Sequence, residues 1–183
     1  MLNKLRLKHS GFTIIELLIV IAIIGILTTL TVLAYGGIQQ RSRDSIVKNA
    51  AKQLAVELLR YSSDTGNTPI QTGGGYNGSG VGWVSSQITG APYLVQVETV
   101  LVNGGYLPSG FTAALPKNTV YNNSNSTTLM LYSCGTKYVV YYSLEAPTAS
   151  DISDYTNNVI PACGATASTV QTSYNMQGGY IFN

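Results

Sequence analysis

Glu16 is the only acidic or basic side chain in GFTIIELLIVIAIIGILTTLTVLAYGG, residues 11–37. A carboxylate in hydrocarbon costs on the order of 3 kcal/mol at a bilayer centre, so such a residue is a functional candidate whose partner has to be named. The chemistry open to it is electrostatic, because a cation brought to Glu16 would neutralise it. Other chemistry-bearing residues are few. His9 is the single histidine, so the chain beyond it has no imidazole for general-base work, a Ser-His-Asp triad or a His-containing metal cluster. Asp151 and Asp154 in SDISDYTNN could join carbonyls around calcium, yet two carboxylates fall short of an EF-hand loop, and a turn-stabilising role is the plainer reading. Cys134 and Cys163 are the only cysteines. Outside the cytoplasm they would close a loop of about 30 residues, worth roughly 3 kcal/mol; two unpaired buried thiols are the alternative. No enzyme site and no cofactor site emerges.

What positions Glu16 is a long apolar segment. Leu17 to Leu33 carries no charge, and with Phe12 to Ile15 and Ala34 it reaches the roughly 20 residues that span a bilayer. Lys4, Arg6 and Lys8 hold its amino end in the cytoplasm by the positive-inside rule, which places everything after residue 40 outside. A secretory signal peptide cleaved after Val32-Leu33-Ala34 would start the mature chain at Tyr35, but its apolar core is normally shorter. A plain membrane anchor fits the length and leaves Glu16 unexplained.

Composition narrows the class. The 183 residues suffice for one ordinary domain plus an extra segment. Only 10% of residues are charged, against about 25% in a typical soluble protein. The net charge of +2 conceals a sorting along the chain. Arg41, Arg43, Lys48, Lys52 and Arg60 follow the apolar run, whereas beyond residue 60 only Lys117 and Lys137 oppose Asp64, Glu98, Glu145, Asp151 and Asp154. The bulk of the chain is mildly acidic, so no nucleic-acid footprint is written on it.

The helix should continue past Gly36 and Gly37. Ile46, Ala50, Leu54, Leu58 and Tyr61, flanked by Val47 and Ala51, form an apolar stripe at helical period. Arg43, Lys48, Lys52 and Arg60 then read as a solvated face. The two parts predict one helix of about 50 residues, roughly 75 Å long, with Gly25 and Gly36-Gly37 as points where it can kink. Gly66, Asn67 and Pro69 end it.

Beyond residue 66 the expected class is α+β. TGGGYNGSGVGW reads as loop, with Trp83 as a core or interface anchor. APYLVQVETVLVNGGYLPSGF predicts a short helix between Pro92 and Gly104-Gly105. TTLMLYSC and KYVVYYSLEAP, separated by Gly135-Thr136, predict a β-hairpin, and GGYIFN a third strand. The expected head is an antiparallel sheet laid on the carboxyl half of the long helix. Cys163 follows NNVIPA in what reads as a carboxyl-terminal loop. The thirteen tyrosines suit core edges, subunit contacts or a sticky surface.

KHSGFTIIELLIVIAIIGIL resembles the prepilin leader and methylation motif of the type IV pilin family, which includes the pseudopilins of type II secretion. The resemblance implies a leader of residues 1–11, cleavage between Gly11 and Phe12 by a prepilin peptidase, and N-methylation of Phe12. It further implies a transmembrane and filament-core helix over 12–35, an amphipathic continuation over 36–65 and a globular head over 66–183. Glu16 would be the assembly charge that pairs with the Phe12 amine of a neighbouring subunit. Expected partners are other copies of the chain and minor pilins, an inner-membrane platform protein and assembly ATPase, and lipid before assembly. A disulfide-closed region near the carboxyl end is common in the family, which favours pairing of Cys134 with Cys163. The implied product is a non-enzymatic pilus subunit for adhesion, motility or DNA uptake, first a single-pass membrane precursor and then a surface filament. A pseudopilin is the alternative within the family. A signal-anchored extracellular binding protein and a secreted enzyme are the alternatives outside it.

Overall fold

The computed structural model describes residues 12–88, 90–116 and 129–183. Gly11, His9 and the rest of residues 1–11 lie outside the described residues, as do residues 117–128. The chain divides into two compact units between Gln39 and Gln40.

One helix, α1 (Ile14–Thr65), supplies the described structure of the first unit and begins the second. It is α-helical through Gly25 and through Gly36-Gly37, so the helix does not unwind at these glycines. A helical glycine costs about 1 kcal/mol relative to alanine but keeps its backbone hydrogen bonds. Among the described residues no neighbour lies within 4 Å of where a Cβ would stand on any of the three. At the far end Gly66 takes φ +74° and its amide bonds to the Ser62 carbonyl at 2.9 Å, a left-handed stop that glycine adopts without a Cβ penalty.

The second unit (Gln40–Asn183) is α+β. Its sheet is antiparallel, in the order β1 (Gly82–Trp83), β2 (Leu129–Cys134), β3 (Lys137–Tyr142) and β4 (Gly178–Phe182). Gly135-Thr136 turns the β2–β3 hairpin, with Cys134 opposite Lys137. Side chains alternate across the strands. Leu129, Leu131, Val140 and Phe182 meet Ala51, Leu54 and Leu58 of α1 and Leu101 of α2 (Val97–Asn103). Met130, Val139 and Tyr141 face the opposite way, against Trp83, Tyr155, Val159 and Val170. Between β3 and β4 the pleat leaves no room above Gly178, where a Cβ would stand 1.9 Å from the Tyr142 ring.

Three expectations need correction. Ile46 is 47% exposed rather than in the core, while Val47, Ala50, Ala51, Leu54, Ala55, Leu58 and Tyr61 are buried; the buried stripe is centred one position further round the helix. The helix expected from Pro92 begins only at Val97, because Gln96 is extended (φ −96°, ψ 150°) and its side-chain amide donates to the carbonyls of Ile88 and Tyr93. The carboxyl-terminal loop is largely helical: α3 (Ala149–Asp154), a π-helical turn at Tyr155–Val159, α4 (Ile160–Cys163) and α5 (Ala165–Tyr174). Thr148 and Asp151 start it with a capping box, each side chain accepting the other's backbone N–H.

Candidate functional site

The residues before α1 organise Glu16 locally. The Thr13 amide donates to Glu16 Oε2 at 2.9 Å, the Thr13 hydroxyl donates to the same oxygen at 2.8 Å, and the Glu16 amide donates to Thr13 Oγ1 at 3.3 Å. These reciprocal bonds are those of a capping box. They satisfy backbone donors that a helix start leaves open, and they place the carboxylate in the first turn, at the positive end of the helix dipole. The signal, Thr-x-x-Glu before an apolar run, is present in the sequence, but Thr13 was not singled out from it.

Around that carboxylate the helix is apolar and uncovered. Phe12 is 84% exposed, and Ile14, Leu17, Ile21, Ile24 and Leu27 are exposed with it. Residues 14–65 include a stretch long and apolar enough to cross a membrane, none of it buried among the described residues. A surface of this size and continuity has to meet lipid or protein. Its threonines are compatible with either. The hydroxyls of Thr28, Thr29 and Thr31 donate to the carbonyls of Ile24, Gly25 and Leu27 at 2.7, 2.9 and 2.7 Å, so none brings an unsatisfied donor into hydrocarbon.

Within the second unit, charges close a clasp between α1 and the segment after β3. Arg43 is bidentate to Glu145, Nε to Oε1 at 2.8 Å and Nη2 to Oε2 at 2.6 Å. That hydrogen bonding raises the Arg43 pKa. Buried Asp44 accepts the amides of Glu145 and Ala146 at 2.7 and 3.0 Å. Lys48 Nζ meets Asp151 Oδ1 at 2.5 Å. Burial pushes the Asp151 carboxyl up, but the hydrogen bonds from Lys48 and Thr148 outweigh it and hold the pKa below its usual value. The basic face expected to be solvated thus contributes three of its four residues to ion pairs, Arg43 and Lys48 across the fold and Arg60 along α1 to Glu57 at 3.6 Å and Asp64 at 3.9 Å. Asp154 accepts from Asn158 at 2.6 Å, and among the described residues no group of three or more metal-ligating side chains gathers.

Glu98 is another polar tie that the sequence did not announce. It is fully buried. Its carboxylate accepts the Ser86 amide at 2.6 Å, the Thr112 amide at 2.9 Å and the Thr112 hydroxyl at 2.6 Å. Burial opposes the charge, yet these donors together lower the pKa. The carboxylate therefore pins α2 to two separate loops. Cys134 at the end of β2 and Cys163 at the end of α4 are joined, with sulfurs 2.02 Å apart and Cα atoms 4.8 Å apart.

A family model describing the prokaryotic N-terminal methylation motif matches residues 6–32. The chain therefore carries the leader motif of type IV pilins and pseudopilins, and that motif implies processing by a prepilin peptidase and assembly with other pilins. No curated protein and no solved structure matches the chain.

Proposed function

We propose that the chain is a prepilin, cut between Gly11 and Phe12, N-methylated at Phe12, and polymerised through α1 into a pilus-like filament. The observation that carries this reading is the conjunction of the matched motif at residues 6–32 with an apolar stretch of α1, long enough to cross a membrane, that none of the described residues buries. Residues 1–11 are the leader, 12–35 the membrane and filament-core helix, 36–65 its amphipathic continuation and 66–183 the head. The role is mechanical rather than enzymatic.

Cleavage ahead of the apolar helix keeps that helix on the mature protein and frees an amine at Phe12, a cation below its ordinary pKa near 8. Before assembly, Thr13 provides the hydrogen bonds that Glu16 needs. In the filament, the amine of a neighbouring Phe12 supplies the opposite charge. Lipid is as apolar as leucine, so moving the helix from bilayer to filament core yields little hydrophobic energy. Close packing and the Glu16 pair set the register, while the work of extension comes from a cytoplasmic ATPase acting through an inner-membrane platform protein. A displaced, repeated contact of this kind makes an open helix rather than a ring. The same chemistry serves a pseudopilin that builds a short secretion piston.

Sequencing the mature amino terminus tests the processing step. The expected product starts at N-methyl-Phe12. A chain starting at Tyr35, or one keeping residues 1–11, contradicts the proposal.

A further inference from the structure

Arg41 on α1 is exposed and forms no ion pair among the described residues. The chain has eight acidic side chains, and each is engaged elsewhere. Glu145 and Asp151 take Arg43 and Lys48, while Glu57 and Asp64 face Arg60. Asp44, the carboxylate nearest to Arg41 in sequence, is buried and accepts two backbone amides. Glu98 is closed by Ser86 and Thr112, Glu16 by Thr13 and Asp154 by Asn158. The position of Arg41 along α1 says what could meet it instead. A hydrocarbon crossing of about 20 residues that starts at Glu16 ends at Tyr35. Tyr35 is 65% exposed and of the type that marks membrane interfaces. Arg41 lies about 9 Å further at 1.5 Å per residue. Long helical side chains lean toward the amino end of their helix, which here is toward the bilayer, so Arg41 reaches back into a headgroup layer roughly 5–7 Å deep. At the same rise Lys48 and Lys52 stand about 20 and 25 Å beyond Tyr35, and Arg43 is already committed to Glu145.

We infer that Arg41 binds the phosphate of an anionic phospholipid in the outer leaflet while the precursor waits to assemble. This rests on the membrane-precursor part of the reading above. A guanidinium suits the role, because its fork of donors matches two phosphate oxygens and it is more weakly hydrated than an ammonium. The aliphatic stem can lie along apolar surface while the charged head stays with the headgroups. A second copy is the poorer occupant. It carries the same eight acidic side chains, of which Asp154 is the one exposed carboxylate after residue 40 that no cation meets. The contact fixes the depth at which α1 sits in the bilayer. Leaving the membrane for a fibre breaks it, so it adds to the work that the assembly motor has to supply and holds back subunits on which no motor acts.

The test places the full chain in phosphatidylcholine vesicles with the head outward and adds spin-labelled lipid from outside, so that Lys4, Arg6 and Lys8 on the other face do not contribute. The readout is the preference of the protein's lipid shell for phosphatidylglycerol over phosphatidylcholine. At low salt the expected preference is about fivefold, the equivalent of roughly 1 kcal/mol for one cation near a charged surface. Arg41→Gln, which is exposed and should fold as the wild type does, should bring the preference close to one, while Arg41→Lys keeps most of it. Lys52→Gln should leave it unchanged. A wild-type preference in Arg41→Gln overturns the contact. An equal fall in Lys52→Gln also overturns it, by showing a diffuse effect of charge. An unchanged preference with fibres lost in both Arg41→Gln and Asp154→Asn assigns Arg41 to a second copy instead. If the wild-type chain fails to float with the vesicles, the membrane reading falls together with this contact; flotation without a preference overturns the contact alone.

Discussion

Thr13 holds Glu16 through a single carboxylate oxygen, which accepts both the Thr13 amide at 2.9 Å and the Thr13 hydroxyl at 2.8 Å. The lone chain thus has a local answer for its one charge in the apolar segment. Neutral hydrogen bonds, each worth about 1 kcal/mol net, orient a carboxylate without removing its charge. In the proposed function that remaining charge is what a second subunit recognises.

Asp151 gives the clasp a pH dependence. Its folded pKa lies below the ordinary value, so its contribution is fully present above the unfolded pKa near 3.9 and is lost as pH falls through the folded pKa. Lys48 is partly exposed, which limits the pair to about 1 kcal/mol or less. Asp151→Asn should therefore lower the thermal midpoint of the full chain in detergent at pH 7 and have a smaller effect at pH 3. An equal loss at both values would show that the ion pair is not what Asp151 contributes.

Glu98 should matter more. Replacing it by Ala strands the buried Thr112 amide and the partly buried Ser86 amide, each buried unsatisfied donor costing about 1–3 kcal/mol. Glu98→Ala should cost on the order of 3 kcal/mol in denaturant unfolding, and Glu98→Gln, which keeps an acceptor, clearly less. Equal losses would mean that the charge rather than the hydrogen bonding is responsible. The wild-type contribution, like that of Asp151, is retained at neutral pH and lost on acidification through the lowered pKa.

The bond between Cys134 and Cys163 predicts an intact mass that rises by two hydrogens on reduction. Replacing both cysteines by Ser should cost roughly 3 kcal/mol of stability. Thiols that react with an alkylating reagent before reduction would contradict the pairing.

The parts of this architecture that are legible in the sequence are those with a local signal. The stripe from Val47 to Tyr61 repeats every three or four residues, which marks α1, and β-branched, aromatic runs on either side of Gly135-Thr136 mark the β2–β3 hairpin. Ile46 was misplaced because periodicity gives the buried face only to within one position. The helices from Ala149 to Tyr174 carry little local helix signal because Ser, Thr and Asn are frequent in them, and such residues favour turns and caps unless packing decides otherwise. Their buried residues, Tyr155, Val159, Ala167 and Val170, are too sparse to show a period. Arg43 with Glu145 and Glu98 with Thr112 are ties across the fold, and no local pattern announces a partner 102 or 14 residues away.

The most direct test of the central claim is the fibre yield of Glu16→Gln, made in cells that also supply the peptidase and assembly motor. Glutamine can still accept from Thr13, so the helix start is kept and only the charge is removed. The prediction is a membrane protein correctly cut and methylated at Phe12 that forms few or no fibres. Fibres at the wild-type level would show that no neighbouring amine depends on Glu16, and would contradict the account.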